Sequence, residues 1–242
     1  MDITNRKIVV VGGSSGMGLG VVRAALAKGA ELVIVGRSQE RIERVASEFA
    51  ETNRVQTVAA DVTREDDVRR LFETVGHFDH LVVTAASNLV YQPIRELDLD
   101  AARLTIDAKL IAALLLAKHA AAHIDEHGSI TFTAGIAAER PMPTAAVVAA
   151  VNGALFSLAY ALAVALAPIR VNAISPGWID TPVWDSSALG ANKPAMFEQM
   201  AQRLPAGRIG QPEDIGHAVL FLMENEFTTG TILRVDGGHR LV

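Results

Sequence analysis

The chain has 242 residues, half of them apolar, and a formal net charge of −5. That length can bury one large core, and no linker, repeat or low-complexity stretch divides it, so one domain spanning residues 1–242 is expected. The absence of cysteine excludes disulfides, thiolate catalysis and thiolate metal sites, and a mildly acidic balance without a basic block argues against nucleic acid as a partner.

In chain order, residues 1–7 are polar and run straight into an apolar stretch, with no signal-peptide apolar region, so a cytoplasmic location is expected. The run Lys7–Val11 leads into Gly12-Gly13-Ser14-Ser15-Gly16-Met17-Gly18-Leu19-Gly20, and a helix-period segment over 21–28 then stops at Gly29. This spacing predicts strand, glycine loop, helix. Glycines at 12, 16 and 18 permit a tight turn and close approach of backbone to a ligand, and the N–H groups opening the helix near Gly16 favour a phosphate.

A second strand over 31–35 ends in Gly36-Arg37-Ser38. In dinucleotide folds an acidic residue about twenty positions after the glycine loop takes the ribose hydroxyls of NAD, and an arginine accommodates the extra phosphate of NADP. Here that position holds Gly36, Arg37 follows it, and Arg41 comes one helical turn later, so NADP(H) is the favoured cofactor. Strand-like runs continue over 55–59, 81–83, 129–133, 169–174 and 232–235, alternating with helix-like ones. That pattern predicts an α/β fold with a parallel sheet covered on both faces.

Residues 145–167 carry no charge and are long enough to span a bilayer, but the segment is rich in alanine and contains Asn152, Gly153, Ser157 and Tyr160. A helix buried between protein surfaces is the better reading, and no membrane association is expected. The sheet covers one face only, so Leu155, Leu158 and Leu162 need a further partner, as do Ile111, Leu114, Leu115 and Leu116 within 101–122. His123-Ile124-Asp125-Glu126-His127 matches the H-x-x-E-H zinc pattern, with His119 one turn earlier. It is read as the end of a helix before Gly128, where the dipole alone favours histidine, and no metal site is assigned.

From Lys7 to Val242 the chain resembles the short-chain dehydrogenase/reductase family. The likeness is carried by the glycine loop, Asp61-Val62, Asp79-His80-Leu81-Val82, Arg170-Val171-Asn172-Ala173-Ile174-Ser175-Pro176-Gly177, Gly207-Arg208-Ile209-Gly210-Gln211-Pro212-Glu213-Asp214-Ile215 and Val235-Asp236-Gly237-Gly238. It implies a single-domain Rossmann fold, a doubly wound parallel sheet of about seven strands flanked by helices. By the same resemblance Ser14, Ser15 and Met17 join the glycines around the cofactor, with Ser38 beside the arginines. Asp61 and Val62 border the adenine, Ala85 and Ala86 follow the fourth strand, and Pro176, Gly177, Ile179 and Thr181 hold the nicotinamide end. Residues 178–205 would form a lid over a small-molecule substrate, and Trp178, Trp184, Met196, Phe197 and Met200 suggest an apolar one. The 101–122 and 145–167 helices would pair across a two-fold axis in a homodimer or homotetramer.

The resemblance also marks a departure. The family's reductases use a tyrosine acid, a lysine four residues later, a serine thirteen residues before the tyrosine and an asparagine in the preceding long helix. A phenol titrates near pH 10 unaided, and the ammonium brings it into range. In this chain those positions fall on Val148, Asn152, Gly135 and Asp107. Substitute groups are Asp107, expected to point inward, Thr133, two strand positions before Gly135, and Asn152, which can still hydrogen-bond a cofactor ribose. Two functions follow: an NADPH-dependent oxidoreductase with a proton donor other than tyrosine, or a catalytically silent NADPH-binding sensor or partner subunit.

Overall fold

The computed structural model describes residues 2–85, 89–185 and 192–242. Seven parallel strands form one sheet in the order β3-β2-β1-β4-β5-β6-β7: β1 Lys7–Val11, β2 Glu31–Gly36, β3 Val55–Ala59, β4 Phe78–Val83, β5 Ile124–Thr133, β6 Arg170–Pro176 and β7 Ile232–Val235. Parallel neighbours need crossovers, and helices α1 Gly16–Ala27, α2 Gln39–Ser47, α3 Glu65–Val75, α4 Leu99–Ile106, α5 Ala112–Ala120, α6 Ala146–Ala165, α7 Lys193–Arg203 and α8 Pro212–Glu224 lie among the connections. The result is the α/β fold expected from the alternation, in the doubly wound form that the resemblance implied.

Strand periodicity divides the core in two. Val9 and Val11 point to one side, with Phe72, Leu116, Phe132 and Leu155, while Ile8 and Val10 point to the other, with Val22, Ile34, Ile215 and Leu222. On the second side α1 and α8 meet through glycines: a Cβ on Gly20 would lie 2.1 Å from Pro212 O, and one on Gly216 would lie 2.6 Å from Gly20 O. The sheet order reverses between β1 and β4, and the crevice beyond the strand ends at such a point is where α/β sheets bind ligands.

Two expectations are corrected. The histidine segment 123–127 does not end a helix: β5 begins at Ile124 and pairs with Phe78 before a register shift. His123 stacks on Phe72 at 6.2 Å, His119 meets Glu65 at 3.0 Å and His127 meets Glu126 at 3.7 Å, so the imidazoles serve separate contacts. Nor is 101–122 one regular helix. A π-helical segment, Asp107–Ile111, separates α4 from α5, and π turns inside α-helices often mark functional sites.

Candidate functional site

At the C-terminal ends of β1, β2 and β4 the chain opens a cleft of about 460 Å³ lined by Gly12, Ser14, Arg37, Ser38, Arg41, Asp61, Val62 and Ala85, together with Gly36, Ala60, Thr63, Val11 and Ala108. Eight of the residues selected from the sequence therefore share one surface. The loop needs its glycines. Gly12 has φ +85°, and its Cβ would come 2.8 Å from both Ala85 N and Thr84 Oγ1, while a Cβ on Gly18 would sit 2.2 Å from Gly12 O. Gly16, at φ +49°, brings the start of α1 against Thr181, whose Cβ would lie 3.1 Å from an added side chain. Ser15 precedes α1 in extended conformation and leaves the helix N-terminus free of a side-chain cap.

At the end of β2, Ser38 Oγ accepts from Arg41 N at 3.3 Å and caps α2, which fixes the direction of the helix carrying Arg41. Arg37 and Arg41 are exposed and make no ion pair among the described residues. Asp61 accepts from Thr63 N and Thr63 Oγ1. Burial works against its charge, but these hydrogen bonds and the nearby Arg37 hold its carboxyl below the usual range. A cleft with two free guanidiniums, small residues where backbone must come close, and no carboxylate at Gly36 fits an anionic dinucleotide. Ala86 lies outside the described residues.

Beside Ala108 the surface turns inward to a second cavity of about 160 Å³. Its walls include Met17, Pro176, Gly177, Ile179 and Thr181, which puts the residues selected for the nicotinamide end together, and Gly135, Val148 and Asn152, three of the four positions assigned to catalysis by resemblance. Trp178 and Trp184 close it, stacked at 4.7 Å with Phe197 edge-on to both, and Trp184 Nε1 donates to Ile179 O at 2.8 Å. The two tryptophans thus pack with Phe197 and line the cavity as well.

Asp107 is a correction. It is exposed rather than inward, and among the described residues it pairs with neither Arg103, which binds Asp100 at 2.7 Å, nor Asn152. Thr133 Oγ1 is buried without a hydrogen-bond partner among the described residues, and Thr133 is not among the residues lining the cavity. The inward charged residue of the π segment is Lys109, only 6% exposed. Its Nζ donates to Asn152 Oδ1 at 2.7 Å and to Ala134 O at 3.1 Å, and it lines the cavity. Burial pushes this amine down to about 8. The sequence reading passed over Lys109, although its spacing from Ala102, Thr105, Ala112 and Leu116, all buried, puts it on the inward helical face.

The enoyl-(acyl carrier protein) reductase family pattern matches residues 11–240. The chain belongs to the short-chain dehydrogenase/reductase family. Among its relatives, the short-chain dehydrogenase/reductase fsr5 of Gibberella fujikuroi is 32% identical over 98% of this chain and 95% of its own length. The L-fucose dehydrogenase of Oryctolagus cuniculus is 35% identical over 97% of this chain and 84% of its own. Among solved structures, a small-chain dehydrogenase in complex with NADPH superposes with a TM-score of 0.85 at 32% identity, covering 98% of this chain and 100% of that one. The MalC reductase/Diels-Alderase of Malbranchea aurantiaca gives 0.92 at 25% identity, covering 99% and 98%.

Proposed function

We propose that this member of the family is an NADPH-dependent oxidoreductase that transfers hydride to or from an apolar carbonyl or alkene, using a proton donor other than tyrosine. The observation that carries the reading is the end of β2: Gly36 supplies no carboxylate, and Arg37 and Arg41 stand without an ion pair among the described residues on the cleft that also contains Gly12, Ser14, Asp61 and Val62. The NADPH bound to one similar solved structure supports the same cofactor here. The loop from Gly12 through Gly18 would hold the pyrophosphate, Arg37, Ser38 and Arg41 the ribose phosphate, and Asp61 and Val62 the adenine. Asn152 would face the nicotinamide ribose, with Ala85, Pro176, Gly177, Ile179 and Thr181 around the ring. Bound there, the cofactor supplies or accepts hydride.

The chain's own part is to orient and to exclude water. Pro176 and Gly177 end β6 at the cavity, and the Trp178–Trp184 stack shields it, which supports a lid over 178–205 and an apolar ligand. Val148 has no proton to give and Gly135 no side chain, so the family's ordinary ketone chemistry needs another acid.

A parallel titration with NADPH and NADH, followed by nicotinamide fluorescence, tests the cofactor; clearly tighter NADPH binding is expected. Steady NADPH consumption with an apolar ketone, quinone or activated alkene then establishes catalysis. Tight binding without turnover across that panel would favour the silent sensor or partner subunit, and no binding of either nucleotide would overturn both readings.

A further inference from the structure

A buried ammonium ordinarily has a carboxylate beside it, because an unpaired charge in a low-dielectric interior is costly. Lys109 has none among the described residues. The polar groups meeting its Nζ are neutral: the carbonyl of Ala134 at the end of β5 and the amide oxygen of Asn152 on α6. Titratable groups on the same cavity are Tyr91 from the loop after β4, Arg140 from the segment after β5, and His239 near the C-terminus. On its own π segment Asp107 points to solvent.

An ammonium has three N–H donors, and two are taken. The third is unassigned on a residue that lines the cavity next to Gly135 and Val148. We propose, on the basis of the oxidoreductase reading above, that Lys109 is the catalytic acid of this protein, giving its free Nζ proton to the oxygen of a carbonyl substrate while Asn152 fixes the amine in place. In the reductive direction the carbonyl carbon accepts hydride, with two electrons from the reduced nicotinamide dinucleotide, and the C=O π pair moves to oxygen. The oxygen takes the Nζ proton and becomes a hydroxyl. The neutral amine then recovers a proton from water reaching the cavity, so the sum is carbonyl, reduced dinucleotide and one proton giving alcohol and oxidised dinucleotide.

The competing donors suit this task less well. Arg140 does not release a proton at neutral pH. His239 is pushed down by burial and Tyr91 is pushed up by it, so neither holds a readily transferable proton near pH 7. Lys109, displaced by burial to about 8, remains mostly protonated there and gives up its proton far more readily than a solvated lysine.

Two measurements test this. The first needs no variant or substrate: trace acetic anhydride labels the native protein across a pH series, and Lys109 acetylation is read by mass spectrometry with and without NADPH. Labelling with a midpoint well below that of the exposed lysines, slowed by NADPH, is expected; an ordinary lysine profile indifferent to NADPH would overturn the proposal. The second compares wild type, Lys109→Gln and Lys109→Arg with phenanthrenequinone as the carbonyl probe. Lys109→Gln should lose on the order of a hundredfold in kcat, with NADPH affinity and folding retained. Wild-type kcat should fall as pH rises through the labelling midpoint, and Lys109→Arg should remove that limb. Turnover that survives Lys109→Gln, or a loss confined to NADPH affinity, rejects the lysine and leaves the oxidoreductase reading standing. A wild type that binds NADPH but turns over no carbonyl rejects both.

Discussion

Gly135 and Asn152 exclude a side chain between them: a Cβ on Gly135 would lie 2.9 Å from Asn152 Nδ2. The absence of a side chain at 135 and the amide at 152 are therefore coupled, and through Asn152 Oδ1 the coupling reaches Lys109. Gly135→Ser should push the amide away and loosen the ammonium. Turnover is expected to fall by about tenfold to a hundredfold, since small misplacements near reacting groups are expensive. Steady-state kinetics of the variant, alongside NADPH titration to show the cleft intact, check this; an unchanged or raised rate would mean that Asn152 does not position Lys109.

Arg37 bears on cofactor choice. Charge-assisted contacts to a phosphate are among the stronger hydrogen bonds. Arg37→Ala should weaken NADPH binding by about tenfold or more while leaving NADH nearly unchanged, and the double variant with Arg41→Ala should bring the two together. Fluorescence titration of both nucleotides decides it, and equal losses for NADPH and NADH would place the guanidinium elsewhere.

His80 predicts a pH dependence of stability. It is fully buried on β4, its Nδ1 lies 2.9 Å from Ser129 Oγ, and burial, with smaller effects from Arg170 and Arg6, pushes its pKa down to about 4 against the raising influence of Asp79 and Asp125. The unfolded chain takes up a proton below about pH 6.5 that the folded imidazole refuses. Stability should therefore be lost as pH falls from about 6.5 to about 4, by roughly 3 kcal/mol in all. Carboxylates such as Asp214, held low by Arg208, and Asp236 titrate below this window. Urea unfolding near pH 7 and near pH 5 should show the loss, and His80→Gln should flatten it.

Assembly can be read from the apolar surface. On α4, α5 and α6, Leu104, Leu114, Tyr160 and Val164 are all more than 40% exposed, with no covering element among the described residues. The homodimer or homotetramer expected from the sequence would cover them. Val164→Glu combined with Leu114→Glu should reduce the particle mass seen by light scattering without lowering the monomer's helical content. A wild type that is already monomeric would remove the expectation.

The legible part of the fold was the part governed by short periods. Val55–Ala59 and Ile232–Val235 have the bounds that apolar runs predicted. β4 and β5 start earlier than expected, at Phe78 and Ile124, and in β4 the reason is that its polar residues are satisfied by partners on neighbouring segments. Asp79 accepts from Arg6 Nη1 and Lys7 N at 2.8 Å each, and His80 meets Ser129. A pattern reading treats such groups as strand breakers because their partners are distant in sequence.

The sequence by itself determined the alternation of strand and helix, the glycine loop before α1, and the placing of two arginines after β2, since each depends on neighbours a few residues away. Only the tertiary structure decided what the charged residue of 101–122 that enters the cavity meets there. The family resemblance pointed to Asp107, but the packed chain buries Ala108 and Lys109 and leaves Asp107 in solvent. Lys109 then finds acceptors 25 and 43 residues away, on Ala134 and Asn152. Such long-range acceptors are properties of the packed chain, and no local spacing encodes them.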